Sequence, residues 1–292
     1  MIFMSIEAVM YEPINIPEIH SLPDAVSCTR FALMHNRTIV YPDSKKNDPL
    51  HLHPYWEIYL HLSDEGSFLV NGHLYSLKKG DVILTATKDL HMRVVSYPIE
   101  QENYCLWLDI PESSPIAEAL RNLSTPYIQP DAKHLSKLCF LLSEIEKTLE
   151  TNDTLYLSSL ILQAVCTLRD TAITSEYRSA PSPLFQQILN DINENCTDIR
   201  NVKHLCERHY TSPSTLNRLF QKHLHLSPHA LLRSHKLAAA AKLLENGESV
   251  MSACLHAGFS DCSHFIVLFK RKFGVTPRQY RMSTQGTAPF HL

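Results

Sequence analysis

The spacing of apolar positions changes character twice along the 292 residues. Between about Ser27 and Leu108, short apolar or alternating runs are broken by turn signals, which is the pattern of half-buried strands. Phe68-Leu69-Val70 and Leu74-Tyr75 flank Asn71-Gly72. That dipeptide favours a type I′ hairpin because both turn residues must adopt positive φ. Lys79-Gly80-Asp81 then precedes the run Val82-Ile83-Leu84. From Asp131 to about Tyr177 the period becomes helical, with Leu135, Leu138, Leu142, Ile145 and Leu149, and later Leu157, Leu160, Ile161, Ala164, Val165 and Leu168, at three- and four-residue steps. Ser179-Ala180-Pro181-Ser182-Pro183 cannot continue a helix and reads as a linker. Everything after it reads as helix. The expected organisation is a strand-rich domain over 1–130, a helical segment over 131–178, a linker over 179–183 and an all-helical domain over 184–284.

The last domain contains an internal repeat at an offset of 49 residues, read without a gap. Tyr210 matches Phe259, Ser214 matches Ser263, Leu216 matches Phe265, Phe220 matches Phe269 and Pro228 matches Pro277. Each unit reads as a short helix, a turn and a second helix. Ser212 is a suitable N-cap before Pro213, whose missing N–H costs nothing at a first helical position. Asp261 places an acidic group at the start of the second unit's helix. Periodicity assigns Leu216, Leu219, Phe220, Phe265, Leu268 and Phe269 to the core. Ser214, Asn217, Arg218 and Gln221 fall on the opposite face, and such a face can reach base edges in a major groove. Its plain alternative is a solvated surface. Between the units, Ser227-Pro228 to Leu244 forms a helix ending at Gly247. At 1.5 Å per residue it is a spacer of roughly 26 Å, which suits two reading helices near successive major-groove faces.

Composition narrows the alternatives. Residues 184–292 hold 13 Lys+Arg against 7 Asp+Glu, a net +6, whereas 1–183 carry −9. A basic tail on an acidic body points to a polyanionic partner. Only 7 glycines are present and no phosphate-loop motif occurs. No GxSxG elbow supports a nucleophilic triad. No apolar run approaches the ~20 residues needed to span a bilayer, and Met1 to Asn15 lacks the features of a signal peptide. Eight scattered cysteines without a CxxC pair read as buried thiols in a reducing compartment. A cytoplasmic protein with no membrane partner is expected.

The segment Leu184 to Arg281 resembles the DNA-binding domain of AraC/XylS-family transcriptional regulators. The second unit carries the resemblance most closely, in Ala257-Gly258-Phe259-Ser260-Asp261, Ser263-His264-Phe265, Phe269-Lys270-Arg271-Lys272-Phe273-Gly274 and Thr276-Pro277-Arg278-Gln279-Tyr280-Arg281. The resemblance implies that the helices beginning near Ser212 and Asp261 enter the major groove. It makes Ser214, Asn217, Arg218, Gln221, Ser263, Ile266, Val267, Lys270 and Arg271 the DNA-contacting residues. The chain departs from the family at Ala253-Cys254, at His225 and at Lys236, and Ile266 and Val267 stand where polar or basic residues are common. The first unit is therefore expected to discriminate bases. The second is expected to contribute chiefly phosphate contacts through Lys270 and Arg271.

In the first domain, His51-Leu52-His53-Pro54-Tyr55-Trp56-Glu57 sets His51, His53 and Glu57 at even spacing. An unbroken strand would place them on one face with Tyr55, Tyr59 and His61. Gly80 is followed eleven residues later by His91. This resembles the cupin pattern, a small β-barrel whose motifs supply three histidines and a glutamate. It departs at Lys45, Gly66, Ala86 and Lys88. AraC-type regulators often carry such a barrel as a sensor. Three readings of the cluster stay open: a metal-free effector pocket formed by His51, His53, Tyr55, Glu57, Tyr59 and His91; a divalent transition metal on His51, His53, Glu57 and His91; or structural histidines.

The expected fold class is α+β multidomain: a cupin-like β-barrel, a central helical segment and an all-α double helix-turn-helix domain. The expected function is that of a sequence-specific DNA-binding transcriptional regulator controlled by a small-molecule effector. No catalytic residues and no obligatory cofactor are expected. Its expected partners are a double-stranded DNA operator, the effector and a second copy of the chain, with RNA polymerase a further candidate. The rival is a cupin metalloenzyme, a dioxygenase or isomerase, with a helical appendage.

Overall fold

A computed structural model describes residues 20–21, 30–40, 50–94, 99–123, 125–151, 153–171 and 182–284. Met1 to Asn15, Lys45, the end of the central segment and the Ser179 to Pro181 part of the expected linker lie outside these residues.

The strand-rich half forms two sheets. One contains β1 (His20–Ser21), β2 (Arg30–Val40), β3 (Trp56–His61), β6 (Val82–Thr85), β8 (Ile99–Asp109) and β9 (Tyr127–Ile128), in the order β1-β2-β8-β3-β6-β9. The other contains β4 (Glu65–Val70), β5 (His73–Lys78) and β7 (His91–Val94), in the order β5-β4-β7. The hairpin at Asn71-Gly72 forms as its residues dictate, with φ of 44° and 80° and Val70 paired to His73.

Alternation along the strands sorts the side chains into layers. Tyr59, Ile83, Cys105 and Trp107 of the larger sheet meet Phe68, Val70, Tyr75 and Leu77 of the smaller one. The other face of the larger sheet, with Trp56, Ile58, Leu60, Val82, Leu84, Leu106 and Leu108, is covered by α1 (Pro115–Arg121), α2 (Ala132–Leu149) and α3 (Thr154–Asp170). The leucine stripes of the central segment therefore pack on the β domain. Burying each such side chain contributes roughly 1.5–3 kcal/mol.

The helical half comprises α4 (Pro183–Asn195), α5 (Val202–Arg208), α6 (Pro213–Leu224), α7 (Pro228–Glu245), α8 (Val250–His256), α9 (Cys262–Phe273) and α10 (Pro277–Thr284). Side-chain caps start them as the sequence suggests: Ser212, Ser227 and Asp261 accept from the amides of Thr215, Ala230 and His264. Gly247, at φ 92°, ends α7. One boundary moves, because Pro183 opens α4 instead of closing the linker.

The repeat also needs a correction. The recognition helices α6 and α9 are related by 49 residues, but their predecessors α5 and α8 start at Val202 and Val250, 48 apart. The second turn is one residue longer. Tyr210 therefore corresponds to Gly258 and not to Phe259, and both occupy positive φ, 48° and 80°. The gap was hidden because Tyr210 does by strain what Gly258 does freely.

The outward face of the three-stranded sheet is also covered. Leu69, Leu74, Met92 and Val94, with Leu50, Leu52 and Leu90, join one continuous core with the helical domain. The two halves are docked, an arrangement that the sequence did not announce.

Candidate functional site

In α6, Leu216, Phe220 and Leu224 are buried, while Ser214, Asn217, Arg218 and Gln221 are exposed. In α9, Phe265, Leu268, Phe269, Lys272 and Phe273 are buried, while Ser263, Ile266, Val267, Lys270 and Arg271 are exposed. The structure thus gathers all nine expected contact residues onto two outward faces. Leu219, expected in the core, is only partly buried. The two faces differ in chemistry. That of α6 offers amide and guanidinium groups suited to bidentate base contacts. That of α9 offers Ile266 and Val267, suited to thymine methyls, and two cations for phosphates.

The residues that aim α9 lie behind it. Lys236, on α7, donates from Nζ to the Gly258 carbonyl at 2.8 Å, fixing the turn before α9. A Cβ on Gly258 would collide with the Thr197 carbonyl and approach Lys236 Nζ to 3.0 Å. Lys236 had stood out only as a departure from the family pattern; its role is positional. In the first unit, Tyr210 stands at the equivalent turn, 99% exposed. Asp191 on α4 holds the end of α5 through Arg208 and through His209 at 2.8 Å. Those partners outweigh the upward push of burial and draw its carboxyl down to about 2.

The second site lies inside the β domain. His51, His53, Glu57 and His91 are all buried, and one donor atom from each lies within 4.8 Å of the others. They do not share an unbroken strand as expected. Pro54 interrupts the extended run, β3 begins only at Trp56, and His51 forms an isolated bridge with His91. Convergence comes from chain crossing and not from period-two spacing.

The geometry of the rings is specific. His53 Nδ1 lies 3.1 Å from the Tyr55 carbonyl, and His91 Nδ1 lies 2.8 Å from the Asp89 carbonyl. A carbonyl only accepts, so each Nδ1 carries the proton. Both Nε2 atoms then turn to one carboxylate oxygen, Glu57 Oε2, at 3.0 and 3.1 Å. Burial disfavours charge on all three groups. It prevails at His53, whose pKa falls; at His91 the carboxylate outweighs it and the pKa rises. Glu57 is held well below the usual carboxylate range because the two imidazoles overcome its burial. A neutral ring with its proton on Nδ1 turns a bare Nε2 lone pair toward Glu57 Oε2, which is the atom it can offer as a ligand. Backbone carbonyls orienting Nδ1 and Nε2 atoms converging on a carboxylate also form the donor set and outer shell of a divalent transition-metal site, so the residues present fit such an ion.

Of the two tyrosines expected beside this cluster, Tyr55 touches it and Tyr59 lies one ring further away. Tyr59 belongs to a neighbouring polar group, with its hydroxyl 3.2 Å from His61 Nδ1 and 2.9 Å from Gln101 Nε2. The Phe68 ring packs against both Tyr59 and His91, with centroids at 5.0 and 6.0 Å. Tyr55 contributes its carbonyl and packs at 5.8 Å from His53. Burial lowers the His61 pKa to about 4, so it is neutral.

Sequence reasoning missed Lys272, which is only 2% exposed. Its Nζ lies 3.4 Å from the Leu50 carbonyl, beside His51. A signal was present: Lys272 is four residues after Leu268 and seven after Phe265, on the buried stripe.

Two exposed reading faces on a double helix-turn-helix scaffold, joined to a β domain with a buried polar cluster, define a two-domain DNA-binding protein. Residues 205–283 match the family model described as "Helix-turn-helix domain". The transcriptional activator RhaS of Escherichia coli O157:H7 is 26% identical over 253 residues, 82% of this chain and 89% of RhaS. RhaR of Mannheimia succiniciproducens is 23% identical over 242 residues, 80% of this chain and 87% of RhaR. Fatty acid-bound ToxT from Vibrio cholerae is 16% identical and covers 88% of this chain and 98% of its own, at a TM-score of 0.34, too low to compare sites. The chain carries an AraC-type DNA-binding domain and is a transcriptional regulator homologous to RhaS and RhaR. These relatives are named as activators of transcription, which decides against the metalloenzyme reading. Among the described residues, no helix is long and apolar enough to cross a membrane.

Proposed function

We propose that this regulator activates transcription from a DNA operator under the control of a ligand held by His51, His53, Glu57 and His91, and that this ligand is a divalent transition metal ion. The observation that carries the reading is the convergence of four buried donor atoms in a chain with two exposed DNA-reading faces. Activation is supported by the names of RhaS and RhaR and makes RNA polymerase a partner. Phe140, Leu155, Tyr156 and Leu162 leave apolar surface exposed on α2 and α3, which supports a homodimer through those helices. In base selection α6 leads, because its face carries Asn217, Arg218 and Gln221, while α9 adds phosphate contacts.

The test uses the full chain, stripped with a chelator and titrated with operator duplex before and after reloading with zinc(II). The reading predicts that operator affinity changes on reloading. Full metal occupancy with unchanged affinity overturns it, as does failure to take up any metal.

A further inference from the structure

Three hydrogen-bonded routes run from the histidine cluster to the face on which the DNA-binding domain sits. His51 exchanges backbone hydrogen bonds with His91, at 2.9 and 2.8 Å, and the preceding carbonyl, that of Leu50, accepts from Lys272 of α9. The His53 carbonyl accepts from the Lys88 amide at 2.8 Å, and the Lys88 ammonium reaches Glu245 at the end of α7, also at 2.8 Å. His91 Nδ1 bonds the Asp89 carbonyl, and the Asp89 carboxylate accepts from Asn71 Nδ2 at 2.7 Å. The next residue, Gly72, offers its carbonyl to Gln186 of α4 at 3.0 Å. Each histidine of the cluster is thus tied to a different helix of the other domain. Between these polar contacts lies an apolar seam in which Leu50, Leu52, Leu69, Leu74 and Leu90 share a core with the helices.

The cluster joins segments that regular structure does not hold firmly. His51 and His53 precede β3 and lie in no named strand, His51 bridges His91 and the His53 carbonyl accepts from the Lys88 amide, and residues 86–90 form a turn. The same two segments carry Leu50 and Lys88 to the docking face. A ligand joining them restrains both at once.

We infer that metal occupancy of this cluster and docking of the DNA-binding domain on the three-stranded sheet are one coupled equilibrium, in which the bound ion holds the domain docked. The inference rests on the metal reading proposed above. A ligand biases a conformational equilibrium only through different affinities for its states. Here the state with converged donor atoms is the docked one. Because α9 is both the second reading helix and the carrier of Lys272, docking fixes where that helix sits relative to the β domain. Linkage then requires that undocking weaken the metal by the same factor that the metal strengthens docking.

The Gly72→Asn variant separates the two events. Asn tolerates the positive φ of the hairpin. Its Cβ, however, would lie 2.8 Å from Asn193 Cβ and 2.9 Å from the Leu189 carbonyl, which pushes α4 away. Glu245→Gln, on α7, is a milder second variant that weakens the Lys88 contact. Zinc(II) affinity of the full chain is measured by calorimetry, and undocking by hydrogen–deuterium exchange of α4 and α9 amides, for wild type and both variants. The inference predicts that zinc raises protection of α4 and α9 in the wild type. It also predicts that Gly72→Asn weakens zinc by about 5- to 150-fold, the usual range of such couplings, with a smaller loss in Glu245→Gln. Zinc that binds the wild type without altering exchange at α4 or α9 overturns the coupling while leaving the metal site standing. Equal zinc affinity in a folded, undocked variant does the same. A folded wild type that binds no zinc overturns the metal reading itself, a distinct result that needs no variant to obtain.

Discussion

Lys272→Met should stabilise the protein, and by an amount that depends on pH. The ammonium of Lys272 is buried, 3.4 Å from the Leu50 carbonyl, and the guanidinium of Arg233 lies close enough to disfavour its charge. Burial first, and Arg233 second, push its pKa down to about 7 from an ordinary value of 10.5. Each pKa unit corresponds to about 1.4 kcal/mol, so keeping the charge buried costs up to ~5 kcal/mol. Below pH 7 both folded and unfolded chains hold the proton, and the whole penalty stands. Between pH 7 and about 10.5 the unfolded chain keeps a proton that the folded one has released, so wild-type stability rises with pH. From about pH 6 to pH 9 the wild type should gain ~2–3 kcal/mol relative to Lys272→Met, whose thioether does not titrate. Neighbouring His235, lowered to about 3 by burial and then by Lys272, stays neutral across that window. Urea unfolding followed by far-ultraviolet circular dichroism at several pH values measures the gap. A gap that stays constant with pH refutes a buried, titrating Lys272; a variant less stable than wild type at pH 6 refutes the penalty.

Further outcomes can be checked separately. Arg218→Ala should lower discrimination between operator and random DNA by the ~1–3 kcal/mol of a bidentate base contact, far more than Val267→Ala does; equal losses at fixed salt contradict the division between α6 and α9. Gly258→Ala should destabilise the second unit by at least ~1–3 kcal/mol, because the added Cβ meets the Thr197 carbonyl at a positive φ; a melting temperature equal to wild type contradicts it. Tyr210→Gly should leave stability unchanged or raise it by up to ~1 kcal/mol, since relief of the left-handed strain outweighs or offsets the added chain entropy. A clear loss in chemical denaturation would mean that the Tyr210 ring has a partner that its exposure does not show.

The features legible in the sequence were those written in local periodicity. The stripes of α6 and α9, the Asn71-Gly72 hairpin and the leucine faces of α2 and α3 depend on spacing within one element, and they formed where they were expected, with Leu135, Leu149 and Leu219 at the partly buried edges of their stripes. The histidine cluster was legible as a set of residues but not as geometry. Pro54 breaks the strand that even spacing implied, and His91 arrives through a different sheet. The docking face was not legible, because the outward residues Leu69, Leu74 and Met92 occupy positions that any covered strand would fill with apolar side chains. Nothing in their spacing names α4, α7 and α9 as the cover. Lys272 was missed for a related reason: it stands in a basic run beside Lys270 and Arg271, and only its place on the stripe of Phe265 and Leu268 indicates burial. Tyr210 concealed the one-residue difference between the two turns, since a tyrosine at positive φ looks like the aromatic it was aligned with.

The central claim, that one chain presents two unequal reading heads to DNA, is tested most directly by selecting bound sequences from random double-stranded DNA with the purified full-length protein. The account predicts two enriched blocks about one helical turn apart, a sharply defined one assigned to α6 by its loss in Arg218→Ala, and a weaker one that survives that change. Enrichment of a single block, two blocks of equal sharpness that both persist in Arg218→Ala, or no enrichment at all would contradict it.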